Sequence, residues 1–389
     1  MENLRQAARA TKILNLVLQA QNRQRDNRHQ QCPEMTDDVT FQAALPLERV
    51  MNQEIMTGRE SNPQQTCPRV AAVTIGRNEG ERLRRCLASM KDQFDHIVYV
   101  DSGSTDNSLY IASIAGVQIV ELDLTIPFTA ARARNAGFSA LQNSDAEFDF
   151  VQFVDGDCAL RPEWKPAAVQ ALLENRNLGI VTGWRSEIHR GASIYNALCD
   201  FEWRRPAGDI QTCGGDMMVR RTAFQEVDGF NNTVIAAEDD EFCVRMRDAG
   251  WHIRRLPVEM TMHDADMHSF TQWWRRAVRS GHGFAQVGNL HSEYFTKERL
   301  RVWFFGFLLP AIAALGSMIS LWVPFGVALV YLVSYLRTVR GLQSNGLPIS
   351  EAVTHSLLLT LSKFPNLIGI LTFWWRQLRG HSMRLIEYK

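Results

Sequence analysis

The chain has 389 residues, 46% of them hydrophobic, and its 42 basic and 42 acidic side chains cancel, which suits one large α/β core with an appendage. The neutral total hides an asymmetry: from Lys297 onward ten Lys or Arg stand against only Glu298, Glu351 and Glu387, and Arg residues flanking long apolar runs point to a membrane surface rather than to nucleic acid. The seven cysteines are odd in number, scattered and without a Cys-x-x-Cys pair, which argues against a disulfide framework and for reduced thiols in a cytoplasmic setting.

Residues 1–69 are poor in core material, with a Gln/Asn/Arg-rich stretch at 19–31 and Pro33, Pro63 and Pro68 as breakers. Leu4, Ala8, Leu14, Val17 and Leu18 fit one helix face, so a membrane-surface or domain-docking helix and a frayed tail both stay open. The apolar run 13–20 is too short for a signal peptide or a span. Ordered pattern begins at Val70. Apolar runs at 70–75, 96–101, 117–121 and 148–155 read as strands, and helical spacing appears at Leu83, Leu87 and Met90, at 108–115 and at 130–141. Strands alternating with helices at this spacing predict a doubly wound, mostly parallel sheet.

Three acidic signatures follow in order: Asp101 in Val-Asp-Ser-Gly-Ser-Thr-Asp, Asp155 and Asp157 in Val-Asp-Gly-Asp, and Glu238-Asp239 opening Glu-Asp-Asp-Glu-Phe-Cys-Val-Arg. The first two end predicted strands, where open α/β sheets bind ligands. The order reads as a nucleotide grip, a metal and diphosphate site, and a general base. The acids 238–241 also suit the first turn of a helix, with Arg245 and Arg247 later in it.

The series Ile75-Gly76-Arg77-Asn78-Glu79, Val100 to Asp106, Arg134-Asn135-Ala136-Gly137, Asp155-Gly156-Asp157, Gly214-Gly215, Val227-Asp228-Gly229-Phe230 and Glu238-Asp239 with Arg245 resembles the family 2 glycosyltransferases over about residues 70–290. The resemblance implies the GT-A nucleotide-sugar-binding fold, a divalent metal (Mg²⁺ or Mn²⁺) and inversion at the anomeric carbon. It implies Asp157 for the metal, Asp155 for the ribose and a metal-bound water, and Asp101 for the base, whose ring N–H an acceptor-only carboxylate suits. Asn78, Glu79 and Arg134 belong with the nucleotide, although a helix-surface Arg beside a carboxylate would look like Arg134. Asp239 takes the proton from the acceptor hydroxyl, with Asp240 and Glu238 as fallback bases. A hard cation held by one or two carboxylates suits a departing diphosphate.

His263, after a predicted strand at 258–262, is either a further metal ligand or a structural histidine. Gly214-Gly215 permits close backbone approach and places Asp216 on the acceptor side, together with Glu238 and Trp274. Two departures from the family pattern matter: Ser102 stands where a second Asp is usual, and Arg276 replaces the Trp of Gln-x-x-Arg-Trp after Gln272 and Arg275. The second favours single-sugar transfer over processive synthesis, unless Trp273 or Trp274 substitutes. Phe270, Trp274 and Val278 share one helix face suited to a membrane interface.

Residues 302–336 carry no charge over 35 positions, between Arg299 and Arg301 on one side and Arg337 and Arg340 on the other. This predicts a tight membrane hairpin bending within 316–324, both ends cytoplasmic. The apolar stretch 356–375 contains Lys363, Pro365 and Asn366, which fits a re-entrant or interfacial segment. The expectation is a tail (1–69), a GT-A catalytic domain (70–290) on the cytoplasmic face, and C-terminal membrane helices (291–389). The partners are a nucleotide-sugar donor, the membrane, and a lipid-linked sugar or lipid as acceptor. A processive polysaccharide synthase and a non-catalytic glycan- or nucleotide-binding scaffold are the alternatives.

Overall fold

A computed structural model describes residues 68–387; the expected N-terminal helix lies outside them. β1 (Val70–Gly76) is buried at six of seven positions, as a strand covered on both faces must be. α1 (Glu81–Met90) turns Leu83, Cys86, Leu87 and Met90 onto the sheet. β2 (Ile97–Asp101), α2 (Ser108–Ala115), β3 (Gln118–Glu121), α3 (Ala130–Gln142) and β4 (Phe150–Asp155) follow. The order β3-β2-β1-β4 is parallel throughout, so β1, β2 and β4 deliver their carboxyl ends to one edge.

Beyond β4 the sheet becomes mixed. β5 (Cys158–Leu160), α4 (Trp164–Glu174), β6 (Leu178–Glu187), α5 (Ile194–Trp203), β7 (Gly208–Asp209), β8 (Met217–Arg220), α6 (Arg221–Glu226), α7 (Glu238–Asp248) and β9 (His252–His263) complete it. β8 runs antiparallel between β4 and β6, and β9 is parallel to β6 but antiparallel to β5 and β7. One apolar layer gathers Val73, Val100, Phe138, Phe153, Phe224 and Phe242; the other gathers Leu83, Leu87, Tyr99, Trp164 and Leu172.

α8 (Phe270–Leu290) starts with a reciprocal cap between Ser269 and Gln272. α9 (Thr296–Gly316), which contains a π-helical turn at Trp303–Leu308, and α10 (Trp322–Ser344) form a hairpin whose bend falls within 316–324. Its surface is apolar: Leu315, Met318, Ile319, Leu321, Trp322 and Phe325 are all more than 60% exposed, unlike a surface that faces water. α11 (Ile349–Leu361) and α12 (Lys363–Leu378) bend at Ser362. By length and composition three stretches are able to cross a membrane: Thr296–Gly316, Trp322–Ser344 and Ile349–Leu378.

They differ in what covers them. In α10 6% of the apolar window is buried, against 39% in Ile349–Leu378. α11 lies against the α/β domain through the Leu198, Cys199, Trp273 and Leu358 cluster and a 2.5 Å Arg190–Glu351 ion pair. α12 crosses α8 backbone to backbone. A Cβ on Gly281 would sit 2.5 Å from the Asn366 Cα, and one on Gly369 would sit 2.6 Å from the His282 nitrogen, so only glycine permits this approach.

Candidate active site

β4 delivers Asp155 to the sheet edge, where Asp216 braces it. The Asp155 N–H donates to Asp216 Oδ1 (2.9 Å), and the other Asp216 oxygen accepts from the Thr261 hydroxyl (2.8 Å) and pairs with Arg185 (2.7 Å). Asp216 is 1% exposed. The Asp216 carboxylate, expected on the acceptor side, turns inward because β6 and β9 bring Arg185 and Thr261 to it.

The Asp155 carboxylate lies between Arg134 (2.7 Å) and Arg185 (3.3 Å). Burial would raise its pKa, but the two guanidiniums outweigh that and hold it below the usual carboxylate range. The other arm of Arg134 reaches Glu238 Oε1 at 2.9 Å. Arg134 is thus a buried strut between β4 and α7, with its two terminal guanidinium nitrogens paired and its Nε without a hydrogen-bond partner among the described residues. A Cβ on Gly215 would overlap the Arg134 Nη2 and come 2.9 Å from its Cζ. Glycine at 215 thus makes room for the strut.

Asp157 lies two residues on, with Oδ2 3.4 Å from His263 Nε2. Across the sheet, His263 pairs in register with Glu187 and Cys158. Glu187 Oε2 is 3.2 Å from His263 Nδ1 and also accepts the Ala265 N–H. An Nδ1–H donated to Glu187 turns the Nε2 lone pair toward Asp157, the carboxylate–histidine arrangement of metal sites. One ligand atom each from Asp157, Cys158 and His263 lies within 4.8 Å of the others. Burial pushes the Cys158 thiol well up, and a protonated sulfur is a poor partner for a hard cation. Asp157 and His263 fit one better: adjacent ligands at about 2.1 Å around an octahedral ion stand ~3 Å apart, close to the separation seen.

α7 opens after Ala237, which is held at φ 60°, a strained conformation for a residue with a side chain. Of its four acids, Glu238 pairs with Arg134. Asp240 accepts from the Thr212 and Tyr294 hydroxyls (2.7 and 2.8 Å), and Glu241 pairs with Arg245 at 2.8 Å. Among the described residues Asp239 accepts only the Asp240 N–H, at 2.9 Å, and a Cβ on Gly214 would lie 3.9 Å from its Oδ2. Burial, then Glu238 and Asp240, push its pKa well above the usual range against the pull of Arg134. Thr212, Tyr294 and Arg134 thus engage the two fallback bases and leave Asp239 open.

The nucleotide-side residues behave differently from one another. Asp101 accepts the Gly103 and Ser104 N–H groups (2.8 and 2.7 Å), the Ser104 hydroxyl (2.5 Å) and the Tyr99 hydroxyl (2.8 Å), and is 1% exposed. Its carboxylate shapes its own loop, the one expected to hold the base. Asn78, at φ 58°, accepts the Thr105 N–H at 2.7 Å and ties the two loops together. Glu79 pairs with Arg82 (2.9 Å), which also reaches Asp266, and Arg85 pairs with Asp264. These side chains rim an open depression of about 320 Å³. Trp274 packs with Phe270 and Trp273 at the start of α8. Arg185, Glu187 and Thr261 were not legible in the sequence, because only the β6–β9 pairing gives them their partners.

A family model described as glycosyl transferase family 2 matches residues 72–227, and one described as the N-terminal domain of galactosyltransferase matches residues 194–269. A TPR repeat-containing protein of Synechococcus elongatus is 28% identical over 50% of this chain and 41% of its own. A probable glycosyltransferase of Bacillus subtilis is 23% identical over 61% of this chain and 60% of its own. The pre-mycofactocin glycosyltransferase of Mycobacterium tuberculosis is 25% identical over 50% of this chain and 42% of its own. The chain thus spans about two fifths to three fifths of the length of these relatives. A mannosyltransferase of Pyrobaculum calidifontis, solved with GDP-Man and Mn²⁺, shares the fold with a TM-score of 0.50 and 16% identity, covering 80% of this chain and 89% of that one.

Proposed function

For a chain that is a family 2 glycosyltransferase of GT-A fold over residues 72–227, we propose metal-dependent, inverting transfer of one sugar from a nucleoside diphosphate sugar to an acceptor at the membrane. The observation that carries this is Asp239. Among the described residues no side chain donates to it, it faces Gly214, and its neighbour Glu238 is tied through Arg134 to Asp155, two residues before Asp157.

The loops holding Asn78 and Asp101 cradle the nucleoside, and Asp157 and His263 hold a divalent cation. That cation, when bound, neutralises the diphosphate as it departs. Asp155, locked by two arginines, stays ionised at the ribose edge. Asp239 removes the acceptor hydroxyl proton as the oxygen attacks the anomeric carbon. Its raised pKa makes it a stronger base than an exposed carboxylate. A single carboxylate poised in this way supports one displacement, and hence inversion.

The exposed apolar hairpin of α9 and α10, flanked by Arg299, Arg301, Arg337 and Arg340, supports membrane insertion with residues 70–290 on the cytoplasmic face. The covered stretch 349–378 fits an interfacial segment, and a membrane lipid or lipid-linked sugar is the acceptor within reach. The test is nucleotide release by detergent-solubilised protein from a panel of UDP-, GDP- and dTDP-sugars with Mn²⁺ or Mg²⁺ and membrane lipid extract, GDP-mannose included. Metal-dependent turnover of one donor, lost in Asp239→Asn and Asp157→Ala, is expected. Donor binding without turnover would refute the transferase reading in favour of a scaffold, and long products would refute single transfer.

A further inference from the structure

A second cavity, of about 210 Å³, lies between α5, α8, the start of α9 and the α11–α12 bend. Its charged lining is Glu202, Arg276, Glu298, Arg301 and Lys363, to which Ser280, Ser362 and Asn366 add neutral polar groups. Both Arg276 guanidinium nitrogens donate to Glu202 at 3.1 Å, so that pair is matched. Among the described residues no carboxylate lies within ion-pair distance of Arg301 or Lys363, and Lys363 donates only to the Ser362 hydroxyl, at 3.3 Å. Three cations against two acids leave a net charge of +1. The Asn366 Oδ1 is buried without a donor, and a buried orphan acceptor is costly unless an occupant supplies an N–H or O–H. The remaining wall is apolar, with Phe284, Val302 and Leu359, and it adjoins the helices whose exposed surface is apolar.

Residues next in sequence to the cavity lining also contact the candidate active site. Glu202 precedes Trp203, whose ring packs edge-on at 4.5 Å against His263. The α8 wall carries Gly283, where a Cβ would lie 3.0 Å from the Ala236 carbonyl, immediately before the turn that aims Asp239. Chain neighbours of two lining residues, Glu202 and Phe284, thus reach His263 and the turn before α7.

We propose that this cavity binds the phosphate-bearing head group of a membrane lipid, with Arg301 and Lys363 on the phosphate, Asn366 on a head-group hydroxyl and the acyl chains leaving along α9. Arg301 and Lys363 face one cavity without an ion-pair partner among the described residues, and the net charge of +1 left after Glu202 and Glu298 are counted favours an anion. An orphan acceptor needs a hydroxyl, and an apolar exit suits a chain. The inference rests on the membrane-acceptor reading above and narrows the acceptor to a phosphate-bearing amphiphile.

The test is native mass spectrometry of the full chain in detergent, with dioleoylphosphatidylglycerol as probe. Dioleoylglycerol, which lacks the phosphate, and dioleoylphosphatidylcholine, which lacks the hydroxyls and net charge, serve as comparisons. Retention of one phosphatidylglycerol is expected, weakened at least about tenfold in Arg301→Gln/Lys363→Gln, since two charge-assisted contacts are lost. Arg301→Lys/Lys363→Arg should retain it, as should Lys297→Gln/Arg340→Gln on the exposed surface. Each single Gln variant serves if the pair fails to fold. Equal retention by wild type and the Gln variants would overturn the proposal, and so would equal retention of dioleoylglycerol. Displacement by excess inorganic phosphate, leaving a phosphate adduct, would reassign the cavity to free phosphate. Specific lipid retention in a protein that turns over no donor would leave the lipid site standing and refute the transferase reading instead.

Discussion

Replacing Gly215 with Ala adds one methyl group, yet it should act like removal of an ion-pair network. The backbone at 215 is not in the left-handed region, so alanine brings no conformational penalty there. The new Cβ would overlap the Arg134 Nη2 and sit 3.4 Å from Asp155 Oδ1. A flexible arginine on a surface would swing away at little cost. Arg134 is 2% exposed and held at 2.7 Å by Asp155 and 2.9 Å by Glu238, so any movement that clears the methyl breaks at least one of these bonds in a buried setting. Breaking a buried pair costs about 3–5 kcal/mol; partial relaxation puts Gly215→Ala near 3 kcal/mol. For a domain of this size that corresponds to a fall in melting temperature of roughly 6–12 °C. The assay is a double-mutant cycle with Arg134→Met, read by thermal unfolding of the solubilised chain and by Mn²⁺-dependent donor turnover. With the strut gone, Gly215→Ala should cost less than about 1 kcal/mol, a strongly non-additive cycle. Additive losses would refute the claim that glycine at 215 exists to seat Arg134.

Three further outcomes follow from the same geometry. Glu187→Gln removes the charge behind His263 Nδ1 and should weaken Mn²⁺ binding by roughly 10–100-fold; an unchanged Mn²⁺ titration followed by electron paramagnetic resonance would exclude His263 as a ligand. Because the Asp239 pKa is raised, the acid limb of the turnover–pH profile should lie above the ordinary carboxylate value near 4, with activity lost as pH falls through it. A raised folded pKa contributes stability at low pH that disappears as pH rises through it, so Asp239→Asn should gain stability over wild type toward neutral pH while losing about 10²–10⁴ in rate. A pH-independent stability difference would contradict this. Gly281→Val forces α8 and α12 apart, since Asn366 Cα lies 2.5 Å from the new Cβ; amide hydrogen exchange over 349–378 should quicken by at least about tenfold, and unchanged protection would show that the helices do not depend on that crossing.

The strands and the acids that end them were readable because both depend on local pattern. The apolar run 148–155 ends in Asp155, and β4 ends there; the charge-free stretch 302–336 reads as a hairpin, and the chain turns at 317–321. Roles were less readable where they depend on distant residues. Gly214-Gly215-Asp216 looks like an exposed turn until β6 and β9 bring Arg185 and Thr261 to the carboxylate. Glu187 ends an otherwise mostly apolar strand and gains meaning only through its register with His263.

The same consideration orders the acids by what the fold already asks of each. Asp101 takes four hydrogen bonds from its own loop and the neighbouring Tyr99. Asp216 is saturated by a backbone amide, a hydroxyl and a guanidinium, and Asp155 is shared by two arginines. A carboxylate satisfied in this way is stabilised in its charged form and has little to gain by accepting a proton. Asp239 is the opposite case: burial and two acidic neighbours destabilise its charge, and among the described residues one backbone N–H is its only donor. A group left in that condition weakens the folded state, and no side chain among the described residues caps the start of α7, where Glu238 and Glu241 are taken up by Arg134 and Arg245; the proposed proton abstraction gives the strained turn at Ala237 and the poorly satisfied Asp239 a common purpose.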